Sequence, residues 1–217
     1  MTIEVKSVTK VLRKITVLED VNLILESGTI YGLRGVNGSG KTMLMRLIAG
    51  LIRPTRGEVF LDGKQLGKDL SFPPDMGMLI ENPAFLDGYT AAQNLRLLAG
   101  IRKKVGEERI REILEQVGLG WADKRKYRQF SLGMKQRLGI AGAVLEHPQL
   151  LLIDEPTNAL DTDGVEMVQE LLLEEKKRGA LIVLACHDFP ILQSLSDVLY
   201  SVKEGRVTPL CSDTGNG

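Results

Sequence analysis

Cysteines are scarce in the sequence: there are two in 217 residues, Cys186 and Cys211. Two cysteines exclude a scaffold built on several disulfides and a zinc site built from four cysteines. The first ten residues, MTIEVKSVTK, lack the apolar core of a secretory signal. We therefore expect a cytosolic protein in a reducing compartment.

Long apolar runs and an excess of one charge are also missing. No stretch of apolar residues and glycine is longer than the eight residues from Leu138 to Leu145, whereas a membrane-spanning helix needs about 20. Lysine plus arginine and aspartate plus glutamate both number 28, so the formal net charge is +0. We expect no membrane span and no nucleic-acid partner, because a balanced surface does not attract polyanions as a whole.

The composition and the order of apolar patterns predict an α/β fold. Apolar residues make up 43% and charged residues 26%, which excludes intrinsic disorder. Two alternating runs, IEVKSV and ITVLEDVNLIL, predict antiparallel strands near the N-terminus. Buried strands then alternate with helices, as in a parallel sheet: TIYGLRG, KTMLMRLIAG, QLLLID, VEMVQELLLEEKKRG and LIVLAC. The runs VLYSV and GRVTPL predict a closing hairpin.

A block with helical spacing interrupts this alternation. AAQNLRLLAG, GEERIREILEQVGL and LGMKQRLGIAGAVLE predict three helices. We interpret residues 83–146 as an inserted helical subdomain of a single domain, 1–217. The core is then expected at 1–82 and 147–210, with a frayed tail at 211–217.

The segment GVNGSGKT, residues 35–42, matches the phosphate-loop pattern G-x-x-x-x-G-K-[ST]. Its glycines let backbone N–H groups converge on an anion, and the helix that follows adds its positive end. Lys41 would neutralise the terminal phosphates, and the Thr42 hydroxyl would reach Mg²⁺. The alternative is a glycine-rich turn with a chance lysine. The predicted nucleotide-binding residues are Gly35, Asn37, Gly38, Ser39, Gly40, Lys41 and Thr42.

Two acids and a histidine follow other buried strands. Ligands in open parallel sheets lie at the carboxyl ends of the strands, so Asp154 and Lys41 are expected at one site. Asp154 would hold Mg²⁺, and Glu155 would orient or deprotonate the attacking water. His187 is expected near the terminal phosphate. The alternatives are a surface turn with two solvated acids and a structural histidine.

With these motifs in this order, the chain resembles the nucleotide-binding ATPase subunits of ABC transporters over essentially its whole length. The resemblance rests on the phosphate loop, the signature segment FSLGMKQR (130–137), Asp154-Glu155-Pro156, the loop NALD (158–161) and His187. It implies a phosphate-loop NTPase (RecA-like) mixed sheet with N-terminal antiparallel strands and an inserted helical subdomain. It also implies ATP and Mg²⁺ as cofactors, with Lys41, Glu155 and His187 as catalytic residues.

The signature segment implies a second copy of the chain. A serine and a glycine at a helix start form an anion-binding helix end. In the family, two chains pair head to tail, so Ser131, Gly133 and Met134 of one would cap the ATP held by the other. The interface loop would contribute Asn158, Leu160 and Asp161. The alternative is an ordinary helix start.

Four positions depart from the family pattern. Leu132 stands where a glycine is usual and Met134 where a glutamine is usual, which weakens the expected cap. Glu81 stands where the family usually has a glutamine that touches Mg²⁺ and the attacking water, so it is a candidate metal ligand that adds negative charge. The alternative is a solvated acid at a hinge. The segment near Leu12 lacks the aromatic that stacks on adenine, so Leu12 or Val11 is expected to pack on the base.

The resemblance predicts a motor subunit of an ABC transporter, peripheral on the inner face of the cell membrane. Two copies would close on ATP and drive separate permease subunits through the loop from Glu81 to Leu86. Phe85 and Leu86 are either docking residues or packing between the subdomains. IENP, FSLGMKQRLGIA and a short C-terminus resemble the branch that exports bacitracin-like and lantibiotic-type peptides.

Two other functions remain open from the residues. One is a soluble, nucleotide-dependent switch related to DNA repair or translation proteins. Such chains usually carry a coiled-coil insertion or two tandem ATPase domains, and 217 residues leave room for neither. The other is a kinase that shares the phosphate loop, for which the signature segment would have no use.

Overall fold

The computed structural model describes residues 1–120 and 124–210. The predicted tail at 211–217, with Cys211, lies outside the described residues. The strands are β1 (Thr2–Leu12), β2 (Ile15–Glu26), β3 (Ile30–Arg34), β4 (Arg56–Leu61), β5 (Lys64–Gln65), β6 (Met76–Leu79), β7 (Leu150–Asp154), β8 (Leu181–Ala185), β9 (Val198–Lys203) and β10 (Arg206–Pro209). The helices are α1 (Lys41–Ile48), α2 (Ala91–Arg102), α3 (Glu107–Gln116), α4 (Leu132–Val144), α5 (Thr162–Lys177) and α6 (Phe189–Leu195), with a 3-10 turn at Tyr127–Gln129.

The central sheet is mixed and has six strands in the order β10-β9-β3-β8-β7-β6. All neighbouring pairs are parallel except β10 with β9, which form the predicted closing hairpin. Every residue of β7 and β8 is buried, because helices or the second sheet cover both faces. The crossovers bring the ends of β3, β7 and β8 to the same edge.

The second sheet is antiparallel, in the order β2-β1-β4-β5. Alternate residues of β1 and β2 are buried, as the alternating sequence predicts. Their apolar sides, α1 and one face of the central sheet form a common core, which includes Ile3, Leu25, Leu44 and Leu152. The phosphate loop therefore leads into α1, a helix that packs between the two sheets.

The helical segment follows β6 and precedes β7. A second apolar core joins α2, α3 and α4 to α5, α6 and the other face of the central sheet. Thr90 begins α2 with a capping box, in which Thr90 Oγ1 accepts from Gln93 N and Gln93 Oε1 accepts from Thr90 N. Side chains also cap the first N–H groups of α4, α5 and α6, whereas glycines without a capping side chain precede α1 and α3. Among the described residues, no helix is both long enough and apolar enough to cross a bilayer.

The apolar patterns did not predict three elements, β5, β6 and α6. The strand β6 has only four residues and contains Gly77, which weakens a strand signal. A Cβ on Gly77 would lie 1.9 Å from the carbonyl oxygen of Ala143, so the glycine lets α4 approach the sheet. The helix α6 is short, with Pro190 in its first turn and Asp188 as its cap. The helix α5 was predicted, but it begins at Thr162, three residues before the predicted start, because Asp161 caps it.

Candidate functional site

The phosphate loop joins the end of β3 to the start of α1. Gly40 occupies the N-cap of α1 with φ 117°, and Gly38 has φ 80°. A Cβ on Gly35 would lie 2.3 Å from the Val202 carbonyl oxygen. Because a glycine cap carries no side chain, the first N–H groups of α1 remain available to an anion. The loop therefore has the conformation and the helix end that phosphate binding requires.

Lys41 lies inside this loop. Its buried ammonium donates to the carbonyl oxygens of Gly35 at 2.6 Å and Val36 at 3.3 Å. These contacts hold Nζ over the loop, where phosphate oxygens could replace the carbonyls. The buried Ser39 Oγ has no hydrogen-bond partner among the described residues. An unpaired buried hydroxyl beside a cation fits a ligand that is rich in acceptors.

Thr42 and Asp154 join the start of α1 to the end of β7. Thr42 Oγ1 donates to Asp154 Oδ2 at 2.6 Å. Burial raises the pKa of Asp154; the Thr42 hydrogen bond and Lys41 oppose this rise, and the carboxylates of Glu155 and Glu81 add to it. A buried carboxylate near two others favours a bound cation, and a hydroxyl with a carboxylate is a donor set suited to Mg²⁺.

Glu155 and His187 contact each other directly. Glu155 Oε2 lies 2.6 Å from His187 Nδ1 and accepts from the His187 backbone N–H at 3.2 Å. The backbone N–H of Glu155 donates to Ala185 O at 2.8 Å, which extends the β7–β8 ladder by one residue. Two side chains that can exchange a proton therefore lie at the strand edge where Asp154 ends β7.

One cavity of about 390 Å³ collects most of the predicted nucleotide-binding residues. Leu12, Val17, Asp154 and Glu155 line this cavity together with the loop residues 37–43. Leu12 therefore lines the same cavity as the phosphate loop, and its packing on the base stays a prediction. His187 reaches this cavity through Glu155.

Glu81 has a cationic partner on α1. It forms an ion pair with Arg46 of α1, and its φ is 66°. Its carboxylate is still close enough to raise the pKa of Asp154. Arg46 is therefore a neighbour of the candidate metal site that the sequence analysis missed; its place in the last turn of α1 carried no sign of this contact.

The signature segment lies at a second cavity, of about 580 Å³, and no described residue lines both this cavity and the first. Ser131 caps α4 and accepts from the Met134 N–H at 3.2 Å. Leu132 is 74% exposed. The interface loop lies alongside, since a Cβ on Gly133 would be 2.7 Å from Ala159 O. The residues of both motifs that line this cavity are Ser131, Leu132, Gly133, Met134, Arg137, Ala159, Leu160 and Asp161.

Two polar residues of α4 connect these motifs, and the sequence analysis assigned neither a role. Gln136 Nε2 donates to the carbonyl oxygens of Glu155 at 3.0 Å and Pro156 at 3.1 Å. Arg137 pairs with Asp161 at 2.9 Å. The signature helix is therefore tied to the segment that follows the candidate base. Asn158 belongs to this same turn, where its N–H donates to Glu155 O at 3.3 Å.

The loop after Glu81 borders an apolar groove of about 400 Å³, which we call the α2–α4 groove. Phe85 packs against Tyr127, with ring centroids 5.6 Å apart, whereas Leu86 is 51% exposed. Packing and exposure are thus divided between the two residues. The groove is lined by Met78, Phe85, Leu98, Ile101, Gly142 and Glu146, among others.

Comparison with known proteins agrees with these motifs. The family model "ABC transporter" matches residues 18–158, more than half of the chain. An uncharacterized ABC transporter ATP-binding protein, YybJ of Bacillus subtilis (strain 168), is 48% identical over 205 residues, 94% of each chain. The lantibiotic transport ATP-binding protein SrtF of Streptococcus pyogenes is 35% identical, over 94% of this chain and 88% of SrtF.

A solved structure extends the likeness to an assembled state. The dimeric, post-hydrolysis ATP-binding cassette MJ0796, bound to ADP and Pi, superposes with a TM-score of 0.84 and 27% identity. The match covers 94% of this chain and 96% of that one. The family model, the related sequences and the solved structure therefore agree with one another and with the fold described above.

Proposed function

The chain belongs to the ABC transporter family as an ATP-binding and ATP-hydrolysing subunit, and from that premise we propose that it drives a separate permease through ATP-dependent pairing of two copies. The separation of the two cavities carries the proposal. Among the described residues, the phosphate loop and the signature segment line different cavities with no residue in common, which is the arrangement expected if the signature caps the nucleotide of a second chain. The dimeric state of the MJ0796 cassette supports this arrangement.

The residue roles follow from the contacts. The loop N–H groups and Lys41 would bind the phosphates. They would also stabilise the negative charge that develops on the leaving oxygen during phosphoryl transfer. Thr42 and Asp154, with Glu81 nearby, would hold Mg²⁺ through oxygen atoms, and the ion would neutralise phosphate charge. Glu155 would accept a proton from the attacking water, and His187, 2.6 Å away, would orient that carboxylate.

The second copy would complete the site. Ser131, Gly133 and Met134 of the partner would approach the terminal phosphate with the start of α4. Asn158, Leu160 and Asp161 would lie at the interface, next to the signature that Arg137 holds in place. Gln136 links this helix to the Glu155 backbone. A movement of α4 when the cap closes would therefore shift the position of the candidate base.

The membrane partner is proposed to dock on the α2–α4 groove. Its apolar walls and the exposed Leu86 and Ile101 suit an apolar segment of a permease. The subunit would then work on the cytoplasmic side, peripheral to the membrane. The likeness to a lantibiotic transport protein supports export of a peptide.

The test is the mass in solution of the Glu155→Gln variant with and without ATP. This variant should bind ATP and lose most turnover, since the amide cannot take the proton. Its mass should change from 23.9 kDa to twice that value when ATP is added. The double variant with Lys41→Ala should stay monomeric. A Glu155→Gln chain with wild-type turnover would refute the base assignment, and one that binds ATP as a monomer would refute pairing by the chain alone.

A further inference from the structure

Cys186 lies between the end of β8 and His187, and the proposed hydrolysis does not use it. Its Sγ, a carboxylate oxygen of Glu155 and a ring nitrogen of His187 all lie within 4.8 Å of one another. We propose that these three side chains form a site for Zn²⁺ and that zinc bound there blocks ATP hydrolysis. The binding part stands on this geometry alone, and the block rests on the proposed function of Glu155 and His187.

The backbone brings the three donors together. Asp154 of β7 pairs with Ala185 of β8 in register, so the residues that follow these two strands are neighbours. The Glu155 N–H donates to Ala185 O, and Glu155 has φ 52°. The turn therefore directs the Glu155 carboxylate back toward Cys186 and His187. Because β7 and β8 are buried, this placement is part of the fold.

The distances fit a zinc ion after small side-chain movements. Zinc bonds are about 2.3 Å to sulfur and about 2.0–2.2 Å to nitrogen or oxygen, so two ligands of a tetrahedral ion lie about 3.3–3.8 Å apart. The Glu155–His187 contact of 2.6 Å must open by about 1 Å, and the widest separation must close by a similar amount. The His187 side chain is 65% exposed and has room to move.

The surroundings of Cys186 favour a cation. The thiol is buried and lies 3.6 Å from Thr157 Oγ1. The Glu155 carboxylate has an oxygen within 4.8 Å of this thiol and places negative charge beside it. A metal ion would replace the thiol proton and neutralise the nearby carboxylates.

The donor set selects the kind of metal. Mg²⁺ prefers oxygen ligands in an octahedron and keeps several waters. Sulfur, imidazole nitrogen and one carboxylate oxygen suit Zn²⁺, with a fourth position left for water or a phosphate oxygen. The site is thus separate in chemistry from the Thr42–Asp154 pair. A zinc ion on Glu155 and His187 would occupy the lone pairs that proton transfer needs.

The binding test uses Co²⁺, which reports thiolate ligation through a charge-transfer band in the near ultraviolet. The sequence has two cysteines, so the matched proteins are Cys211→Ser, which keeps Cys186, and Cys186→Ser, which keeps Cys211. We expect the cobalt–thiolate band in the Cys211→Ser protein, its loss when Zn²⁺ is added, and no band in the Cys186→Ser protein. Absence of the band in the Cys211→Ser protein overturns the proposal.

The inhibition test measures the zinc concentration that halves each protein's own rate of ATP hydrolysis in excess Mg²⁺. Cys186→Ser should raise this concentration by at least about tenfold, because even outer-shell partners of a metal are worth about 10–100-fold in affinity. Equal sensitivity of both proteins overturns the proposed block. Circular dichroism and ATP binding check the fold, with Cys186→Ala as a second variant.

The two proposals fail in different ways. The cobalt band needs no hydrolysis, so it would persist if Glu155→Gln kept wild-type turnover and the base assignment fell. Conversely, loss of turnover in Glu155→Gln together with no cobalt band would leave the motor function standing and refute the zinc site.

Discussion

Thr42 and Asp154 are 112 positions apart in the sequence, yet Thr42 Oγ1 donates a hydrogen bond to Asp154 Oδ2 at 2.6 Å. This bond fixes the first turn of α1 against the end of β7. It also partly offsets the burial of the Asp154 carboxylate, whose pKa is raised. The ionised Asp154 carboxylate at the end of β7 therefore destabilises the folded chain when no cation is bound. A bound cation would offset that cost.

Asp154→Asn should stabilise the nucleotide-free protein. A carboxyl whose pKa is higher in the folded chain favours folding when protonated, and this contribution is lost as the pH rises through the folded pKa. Asparagine never takes the charge and can still accept from Thr42. We expect a higher melting temperature than wild type at neutral pH, by about 2–4 °C for each 1 kcal/mol gained, and a smaller difference at acid pH.

Calorimetry without nucleotide at several pH values checks this expectation. Added Mg²⁺ and ATP should raise the melting temperature of the wild type much more than that of Asp154→Asn, since the variant lacks the charged oxygen ligand. Equal melting temperatures at neutral pH without nucleotide would contradict the claim that the buried carboxylate is costly.

Glu81 and Arg46 should affect Mg²⁺ in opposite directions. Arg46 pairs with Glu81, and Glu81 adds to the negative field at Asp154. Glu81→Gln should raise the Mg²⁺ concentration for half-maximal ATP hydrolysis, and Arg46→Ala should lower it. Each shift should be about two- to fivefold, as for exposed charges worth up to about 1 kcal/mol.

Titration of ATPase activity with Mg²⁺ at constant ionic strength makes the comparison. Lys6→Ala is a suitable control, because its ion pair with Glu4 lies on the other sheet. Shifts of the same sign in Glu81→Gln and Arg46→Ala would show that the two residues act through structure and not through charge at the metal.

The sequence predicted the site best where local pattern and motif coincide. A glycine-rich turn after a buried strand located Lys41, and acids after another buried strand located Asp154; their meeting at one cavity is confirmed. Leu12 was placed there by resemblance to a family, not by any property of leucine. The α/β class followed from strand–helix alternation, which the central sheet confirms.

The remaining features depend on contacts between distant segments. The pairing of Arg46 with Glu81 and the cluster around Cys186 arise where elements far apart in sequence meet. The strand β6 is recognisable only from its register with β7, since four residues with a glycine give no clear period. The helix α6 depends on the Asp188 cap more than on apolar spacing.

The trans arrangement predicts that two inactive variants restore each other. Lys41→Ala removes the phosphate contact of its own loop, and Ser131→Arg blocks the signature that would cap the partner's nucleotide. In a mixed dimer, both defects fall in one site and the other site is intact. We expect activity up to roughly a quarter of wild type, since half of randomly paired dimers are mixed and each has one complete site.

ATP hydrolysis is measured for each variant alone and for an equimolar mixture. The control mixes the Lys41→Ala chain with a chain that carries both substitutions. This mixture should stay inactive, because both chains then lack the Lys41 contact to phosphate. A mixture no more active than the separate variants would contradict a site shared between two copies.

The α2–α4 groove should be needed for membrane recruitment but not for hydrolysis by the isolated chain. Ile101 lines this groove and is 77% exposed, whereas Ile24 is 62% exposed on β2, in the other sheet. Lysine at either position adds the same charge without entering the core. Ile101→Lys should reduce binding to membrane vesicles that contain the permease by at least about fivefold, as loss of an apolar anchor does.

Sedimentation with inverted vesicles from cells that lack this subunit measures recruitment, and ATPase assays of the free chains measure the motor. Ile24→Lys should bind the vesicles like wild type, because Ile24 belongs to the antiparallel sheet and is not among the described residues that line the groove. Both variants should retain hydrolysis, since neither residue lines the nucleotide cavity. Equal recruitment of the two variants would place the permease contact elsewhere on the chain. Loss of hydrolysis in Ile101→Lys alone would mean that the groove is coupled to Glu155 even without a membrane partner.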